Sequence, residues 1–498
     1  MKNLHVISFS KYKAELPPSI TRLAHIDSIK LSTTNIGNNN LSGVQWKKAH
    51  ITGDPAAWKD STGIHKQTEE KALLSLVSVK TLRTVYFDDI KLNDPSIIKR
   101  FTQIEDLRGL FEGDDDPEAF LIALSSLNNV HTLYLNLFYD RSISLNWIAN
   151  MPQLQDVFIG GMDHPFKSFE ALGQLTNLKS LTLHQFALGA MPDIFGKLNH
   201  LKNLQLTLNG ITKVPAGLFN LPALENLDLT ENSLTYLPPL LSYGCTGLKH
   251  VNLMMNQLTS LPAAFSGLQN LETLNCSNNK IETIPGGWAY LTHLKEVNFA
   301  INHLTEFPEG LQNNHSVERI TLFFNKIQTV PDIDGDGYKL RYLGITGNRN
   351  MFALPEHIGA YTQLDTLEAQ YLNLNELPES LGDCKQLKML LLSRSITKKT
   401  TLPSGLKDTR NLEILELNDN PLLDHRSIFD VILSQPRSNF RINLSNCDIR
   451  QLPSASKWLS IPFVSMNLRD NPISELPQEL INSKVKGAID TNSTNIHP

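Results

Sequence analysis

The sequence predicts an α/β repeat solenoid: one continuous parallel β-sheet on a concave face, with short helical or 3₁₀ turns on the convex face. Three observations predict it. A unit of 23 to 25 residues recurs with starts from Leu178 to Leu412. The apolar residues at the head of each unit alternate with polar ones, as in a strand with one buried face. An asparagine recurs at one fixed place after that strand. A period of this size indicates stacked repeats rather than several globular domains, although 498 residues would ordinarily suggest the latter.

The unit is plainest in three segments. They are LENLDLTENSLTYL (224–237, then Pro238), LETLNCSNNKIETI (271–284, then Pro285) and LKEVNFAINHLTEF (294–307, then Pro308). All three fit L-x-x-L-x-L-x-x-N-x-L-x-x-L-P, with other apolar residues admitted at the leucine positions. The L-x-L core is read as a short strand whose apolar side chains point inward and whose intervening side chains point out. No single unit can bury its apolar side alone, so neighbours must supply the core. Each buried leucine then contributes roughly 1.5–3 kcal/mol before entropy costs. The asparagines Asn209, Asn232, Asn256, Asn279, Asn302, Asn325 and Asn348 form a column. Turning the chain after a strand strands backbone groups inside the coil, and an amide that both donates and accepts can satisfy them. Their expected role is structural. Proline after the last leucine ends the extended stretch and removes a donor.

This pattern resembles the leucine-rich-repeat family, in the 23-residue class found in bacterial proteins and intracellular scaffolds. It departs from the 20-residue repeats of enterobacterial secreted effectors and lacks the D-I-x-P-L signature of internalins. The resemblance implies a leucine-rich-repeat horseshoe that binds a partner, usually protein, on its concave face.

In chain order, residues 1–36 hold N-terminal repeats, seen at Leu4-Ile7-Phe9 and Ile26-Ile29-Leu31. Residues 37–78 leave the register. They are polar, carry Trp46 and Trp58, and read as an insertion loop ending in a helix near EEKALLSL. Such a loop either packs its tryptophans on the solenoid or binds a partner. Residues 79–173 hold irregular repeats at Leu82-Val85-Phe87, Val130-Leu133-Leu135 and Leu154-Val157-Ile159, with an acidic run at Asp114–Asp116 read as a solvated face. Regular repeats fill 174–498, the last at Ile442-Leu444 and Met466-Leu468. A repeat begins at Leu4 with no room for a cap, and AIDTNSTNIHP reads as a repeat begun and cut off. Either the end repeats cap themselves or flanking sequence is missing.

Composition narrows the function. Net charge is −5, from 45 basic and 50 acidic residues, which gives no electrostatic reason to expect nucleic acid as partner. No apolar run is long enough to span a bilayer. No apolar stretch of secretory type follows the N-terminus. Cys245, Cys276, Cys384 and Cys447 are scattered, and free thiols suit a reducing compartment. The expected location is cytoplasmic, or delivered as an effector, with a secreted or surface protein as the alternative if a signal was removed. Phosphate-loop, dinucleotide, nucleophile-elbow and zincin motifs are absent from the sequence, so no enzyme and no cofactor is expected. In PDIDGDGYKL, Asp332, Asp334 and Asp336 mimic the opening of a calcium loop. The twelfth position, however, is Leu343 instead of glutamate, so a polar turn is the expected reading and a calcium site the alternative.

What remains is the outward side of the strands. Most of its residues are polar. Met254, Met255, Ile301, Phe323, Phe324, Tyr342 and Tyr371 are large and apolar or aromatic, and Arg319 and Glu368 stand among them. Such a patch is expected to bind a protein partner, with aromatic anchors inside a polar rim. Tyr86, Tyr134 and Phe158 form a second, thinner stripe. The function expected is therefore non-enzymatic protein binding. The alternatives are the recognition arm of a larger bacterial effector or enzyme, and a secreted or surface bacterial binding protein.

Overall fold

The computed structural model describes residues 6–8, 28–32, 41, 44, 46–52, 64–88, 94–113, 117–139, 142–164, 168–238, 245–332, 337–434, 440–454, 456–459, 463–482, 489–492 and 494. The chain forms two compact units, one of Met1–Leu234 with Tyr243–Gly247 and one of Thr235–Ser242 with Leu248–Pro498.

In the first unit the described strands are β1 (Val6–Ser8), β2 (Ser28–Ser32), β3 (Lys48–Thr52), β4 (Thr84–Asp88), β5 (Asp106–Gly113), β6 (Thr132–Tyr139), β7 (Asp156–Gly160), β8 (Ser180–His184), β9 (Asn203–Thr207) and β10 (Asn226–Asp228). Each pairs with the next, always in parallel. Register brings Ile29, Ala49, Val85, Leu107, Leu133, Val157, Leu181, Leu204 and Leu227 side by side, all buried. This column is the core that the alternation predicts.

Part of the stretch 37–78, expected to leave the register, keeps it. Lys48–Thr52 is a strand in full register between β2 and β4. Its inward residues, Ala49 and Ile51, are buried, as is Trp46. The small Ala49 stands where other repeats carry a larger side chain, and that hid the unit in the sequence. The expected helix is present as Ile64–Val77, with Ala72, Leu73 and Leu76 buried. Trp58 and Asp114–Asp116 lie outside the described residues.

The second unit repeats the design with shorter strands: β11 (His250–Asn252), β12 (Thr273–Asn275), β13 (Glu296–Asn298), β14 (Arg319–Thr321), β15 (Tyr342–Gly344), β16 (Thr366–Glu368), β17 (Met389–Leu391), β18 (Ile414–Glu416), β19 (Phe440–Asn443), β20 (Phe463–Asn467) and β21 (Ile489–Asp490). These also pair in sequence and in parallel, with Val251, Leu274, Val297, Ile320, Leu343, Leu367, Leu390, Leu415, Ile442 and Met466 forming the buried column. The return path is mostly 3₁₀. Pro262, Pro378 and Pro403 hold extended backbone just before such turns, which bury Phe265, Leu381 and Leu406.

The asparagine column is structural, as expected. The Asn302 side chain donates to the carbonyls of Cys276 and Phe299, both at 3.0 Å, and accepts from the Ile281 N–H at 2.9 Å. Asn279 and Asn325 repeat the arrangement one unit away on either side. Further on, Asn420 and Asn471 continue it, while Ser395 and Cys447 replace asparagine and still donate to the carbonyls of Ala369 (2.6 Å) and Leu417 (3.2 Å). All four cysteines are free and buried.

Candidate functional site

The outward side of the second unit is organised by a backbone feature. The residue just before the column position adopts left-handed backbone in repeat after repeat. Met255, Asn278, Ile301, Phe324 and Tyr371 have φ between +51° and +56°, and Gly347 has +80°. The cause is the hydrogen bonding between repeats. The Ile301 N–H donates to the Phe323 carbonyl at 2.7 Å, Phe324 to Thr346 at 2.8 Å, Gly347 to Gln370 at 2.8 Å and Tyr371 to Ser393 at 2.9 Å. The sheet pairing thus extends past each strand while the chain turns to bury the next side chain. Left-handed backbone is comfortable for glycine and asparagine but costs other L-residues roughly 1–2 kcal/mol.

Four of these six positions carry large apolar side chains. Exposure is 40% at Met255, 51% at Ile301, 56% at Phe324 and 39% at Tyr371. Neighbouring strands lie about 4.8 Å apart, so the six form one row across the repeats. Phe323 and Met254, half-exposed, stand one residue earlier in their repeats. The Phe323 ring lies over Gly344, where a Cβ would come within 2.5 Å of it. The structure therefore brings together Met254, Met255, Ile301, Phe323, Phe324 and Tyr371 along one side of the sheet.

Tyr342 differs from expectation: it is 7% exposed and offers almost no free surface. The Arg319 guanidinium lies 3.6 Å from its ring centroid, covering it. Burial, together with the Glu368 carboxylate that accepts its hydroxyl, pushes the Tyr342 pKa well above its ordinary value. Arg319, Tyr342 and Glu368 thus make one rigid chain of contacts, and Tyr342 serves as its support.

Several outward residues escaped the sequence reading. Met389 and Ile414 are register partners, and Leu391 lies between Glu368 and Glu416; all are half-exposed. Their alternation is visible in KMLLL and EILEL, but leucine on both faces of a strand conceals which one points out. Arg394 occupies the left-handed position after Tyr371, 5.9 Å from its ring, and pairs with Asp419 at 3.1 Å. One edge of the patch is bounded by Lys249, Glu272, Lys295, Glu318, Arg341, Asp365, Lys388 and Glu413, one per repeat with alternating sign. Lys295 meets Glu272 at 2.6 Å and Arg341 meets Asp365 at 3.2 Å. Exposed pairs of this kind are worth little individually.

In the first unit the thinner stripe is a register row. His50, Tyr86, Arg108, Tyr134 and Phe158 follow one another on β3 to β7. Tyr134 and Phe158 stack at 3.9 Å, while Asp106 holds the Arg108 guanidinium at 3.0 Å. Of the acidic trio, Asp332 accepts the His357 N–H at 3.0 Å, and Asp334 and Asp336 lie outside the described residues. Among the described residues no group of three or more His, Cys, Asp or Glu is placed to hold a metal. Also among them, no helix is long and apolar enough to cross a membrane.

The leucine rich repeat family profile matches residues 199–258, 222–281 and 246–304. No curated protein matches the sequence. Among solved structures, the chain is similar to a leucine-rich-repeat protein of Leptospira interrogans, with 28% identity, 73% of this chain and 90% of that one covered, and a TM-score of 0.61. In fold it is also similar to the plant peptide hormone receptor RGFR1 in complex with RGF2, at 19% identity over 97% of this chain and 82% of that one, TM-score 0.63. A third likeness in fold is to TLR13 in its complex with ssRNA13, at 16% identity over 99% and 79%, TM-score 0.61. With its 23-to-25-residue unit, its parallel strands and its buried asparagine column, the chain is a leucine-rich-repeat protein.

Proposed function

We propose that this chain is a non-enzymatic binding module whose partner is a protein docked on the strand side of the second unit. Leucine-rich-repeat proteins generally mediate protein–protein interaction and ligand binding. One observation carries the reading here. Met255, Ile301, Phe324 and Tyr371 sit on left-handed backbone where glycine or asparagine is easier, and they are exposed. Nothing in folding asks for large apolar side chains at such places, and local rules are most often broken at functional sites. A protein partner fits better than nucleic acid. The TLR13 complex holds RNA on this fold, but here the net charge is −5 and the charged edge alternates in sign. The same surface would serve a recognition arm of a larger protein, and the Leptospira likeness supports only a bacterial source.

The test is site-specific photo-crosslinking in native lysate. A benzophenone side chain at position 324 is predicted to trap a discrete protein. The same group at Tyr290, exposed on the 3₁₀ turn Trp288–Tyr290, is predicted to trap none. Adducts at 290 without adducts at 324 would place the partner on the turns and overturn the reading.

A further inference from the structure

We propose that the partner inserts a basic side chain between Glu368 and Glu416, its aliphatic stem lying on Leu391, beside the apolar group seated on Phe323 and Phe324. This rests on the reading that a protein docks on the strand side of the second unit.

The register puts Glu368, Leu391 and Glu416 on three adjacent strands, each directly opposite the next. Two strand spacings separate the glutamate backbones, about 10 Å, with Leu391 as a half-exposed apolar floor between them. Both carboxylates are fixed by neutral donors. Glu368 takes the Tyr342 hydroxyl, and Glu416 takes the Asn443 amide at 2.8 Å. Asn443 is itself bonded to Asn418, which accepts from Ser393 at 2.6 Å. A carboxylate accepts from several donors, so each keeps room for another.

Three nearby cations are committed elsewhere, while Arg441, exposed opposite Ile414, forms no ion pair with Glu416 among the described residues. Arg319 lies on the Tyr342 ring, Arg394 pairs with Asp419, and Arg341 pairs with Asp365. Among the described residues none forms an ion pair with Glu368 or Glu416. The floor of the patch is therefore acidic and apolar at once. Lysine and arginine match both properties, since their stems cover apolar surface while the charged end reaches a carboxylate. An acidic partner would meet like charge in a half-buried setting.

The experiment selects phage-displayed random peptides on the intact chain. The expected pool couples lysine or arginine with a neighbouring leucine, isoleucine, methionine or phenylalanine. A synthetic peptide from it should lose at least about tenfold in affinity with Glu368→Gln/Glu416→Gln, or when norleucine replaces its basic residue. The two losses should not add, because they remove one interaction. Both variants must keep the circular dichroism of the wild type. Peptides without basic residues that still depend on Phe323 and Phe324 would overturn this inference and leave the docking surface standing. Peptides indifferent to both sets, or no enrichment over a bare support, would overturn both.

Discussion

The ring of Phe324 lies over Gly347, so close that a Cβ on Gly347 would stand 2.5 Å from the ring carbon Cδ1. Both residues hold left-handed backbone, at φ +51° and +80°. Glycine here does two things: it relieves strain in its own repeat, and it leaves a seat for the aromatic ring of the repeat before. Gly347→Ala is predicted to cost about 1–2 kcal/mol from the backbone alone and to displace the Phe324 ring. Urea unfolding reads the first effect. Weaker binding of the captured partner, with the fold kept, reads the second.

Ile301 is the most strained member of the row, because a β-branched residue is a genuine outlier at positive φ. Asn278, one repeat earlier at φ +56°, shows the relaxed solution. Ile301→Asn is predicted to raise stability by about 1 kcal/mol and to weaken partner binding. Improved stability with unchanged binding would remove Ile301 from the site.

The asparagine column predicts the opposite pairing of effects. Asn302→Ala leaves the Ile281 N–H without its acceptor and removes one of two side-chain donors to the Cys276 carbonyl, which keeps Asn279. A buried unsatisfied group costs about 1–3 kcal/mol, so a loss in that range is expected. Lys280→Ala, on an exposed side chain next to the column, should change stability by less than about 0.5 kcal/mol. Hydrogen exchange at Ile281 would show whether the damage is local to the adjoining repeats.

The cysteines give a pH dependence. Burial pushes the thiol pKa up from the ordinary 9 to about 11 for Cys245 and Cys447 and to about 12 for Cys384, and raises Cys276 as well. The unfolded chain therefore loses these protons more easily than the folded one. The stability tied to the neutral thiols is fully present below about pH 9 and is lost as pH rises toward 11 to 12. A thiol reagent at pH 8 should label no cysteine of the native protein and all four after denaturation. Fast labelling of native protein would contradict the burial.

The repeat was legible because its period and its apolar alternation are imposed by stacking, and the asparagines because each turn demands the same hydrogen bonds. The parallel ladder and the roles of Asn209 to Asn348 follow from those two constraints. The β3 repeat was not legible, because Ala49 satisfies the inward position without announcing it. Phe323, Phe324, Ile301 and Tyr371 could be placed on one side by counting along the strand. The left-handed backbone beneath the last three could not, since it is set by bonds from the next repeat. Tyr342 looked exposed by position, but its surface is taken by Arg319, a neighbour one strand away. Glu416 and Leu391 lay in a segment where leucine occupies both faces, and only the register shows which side points out.

If the partner binds on the row through Phe323, Phe324 and Tyr371, removing those rings removes binding. The most direct measurement is affinity capture from native lysate with the wild type beside Phe323→Ser/Phe324→Ser/Tyr371→Ser, after circular dichroism shows that both fold alike. A specific protein should be held by the wild type and lost by the variant. Equal capture by both would contradict binding there and place the site elsewhere.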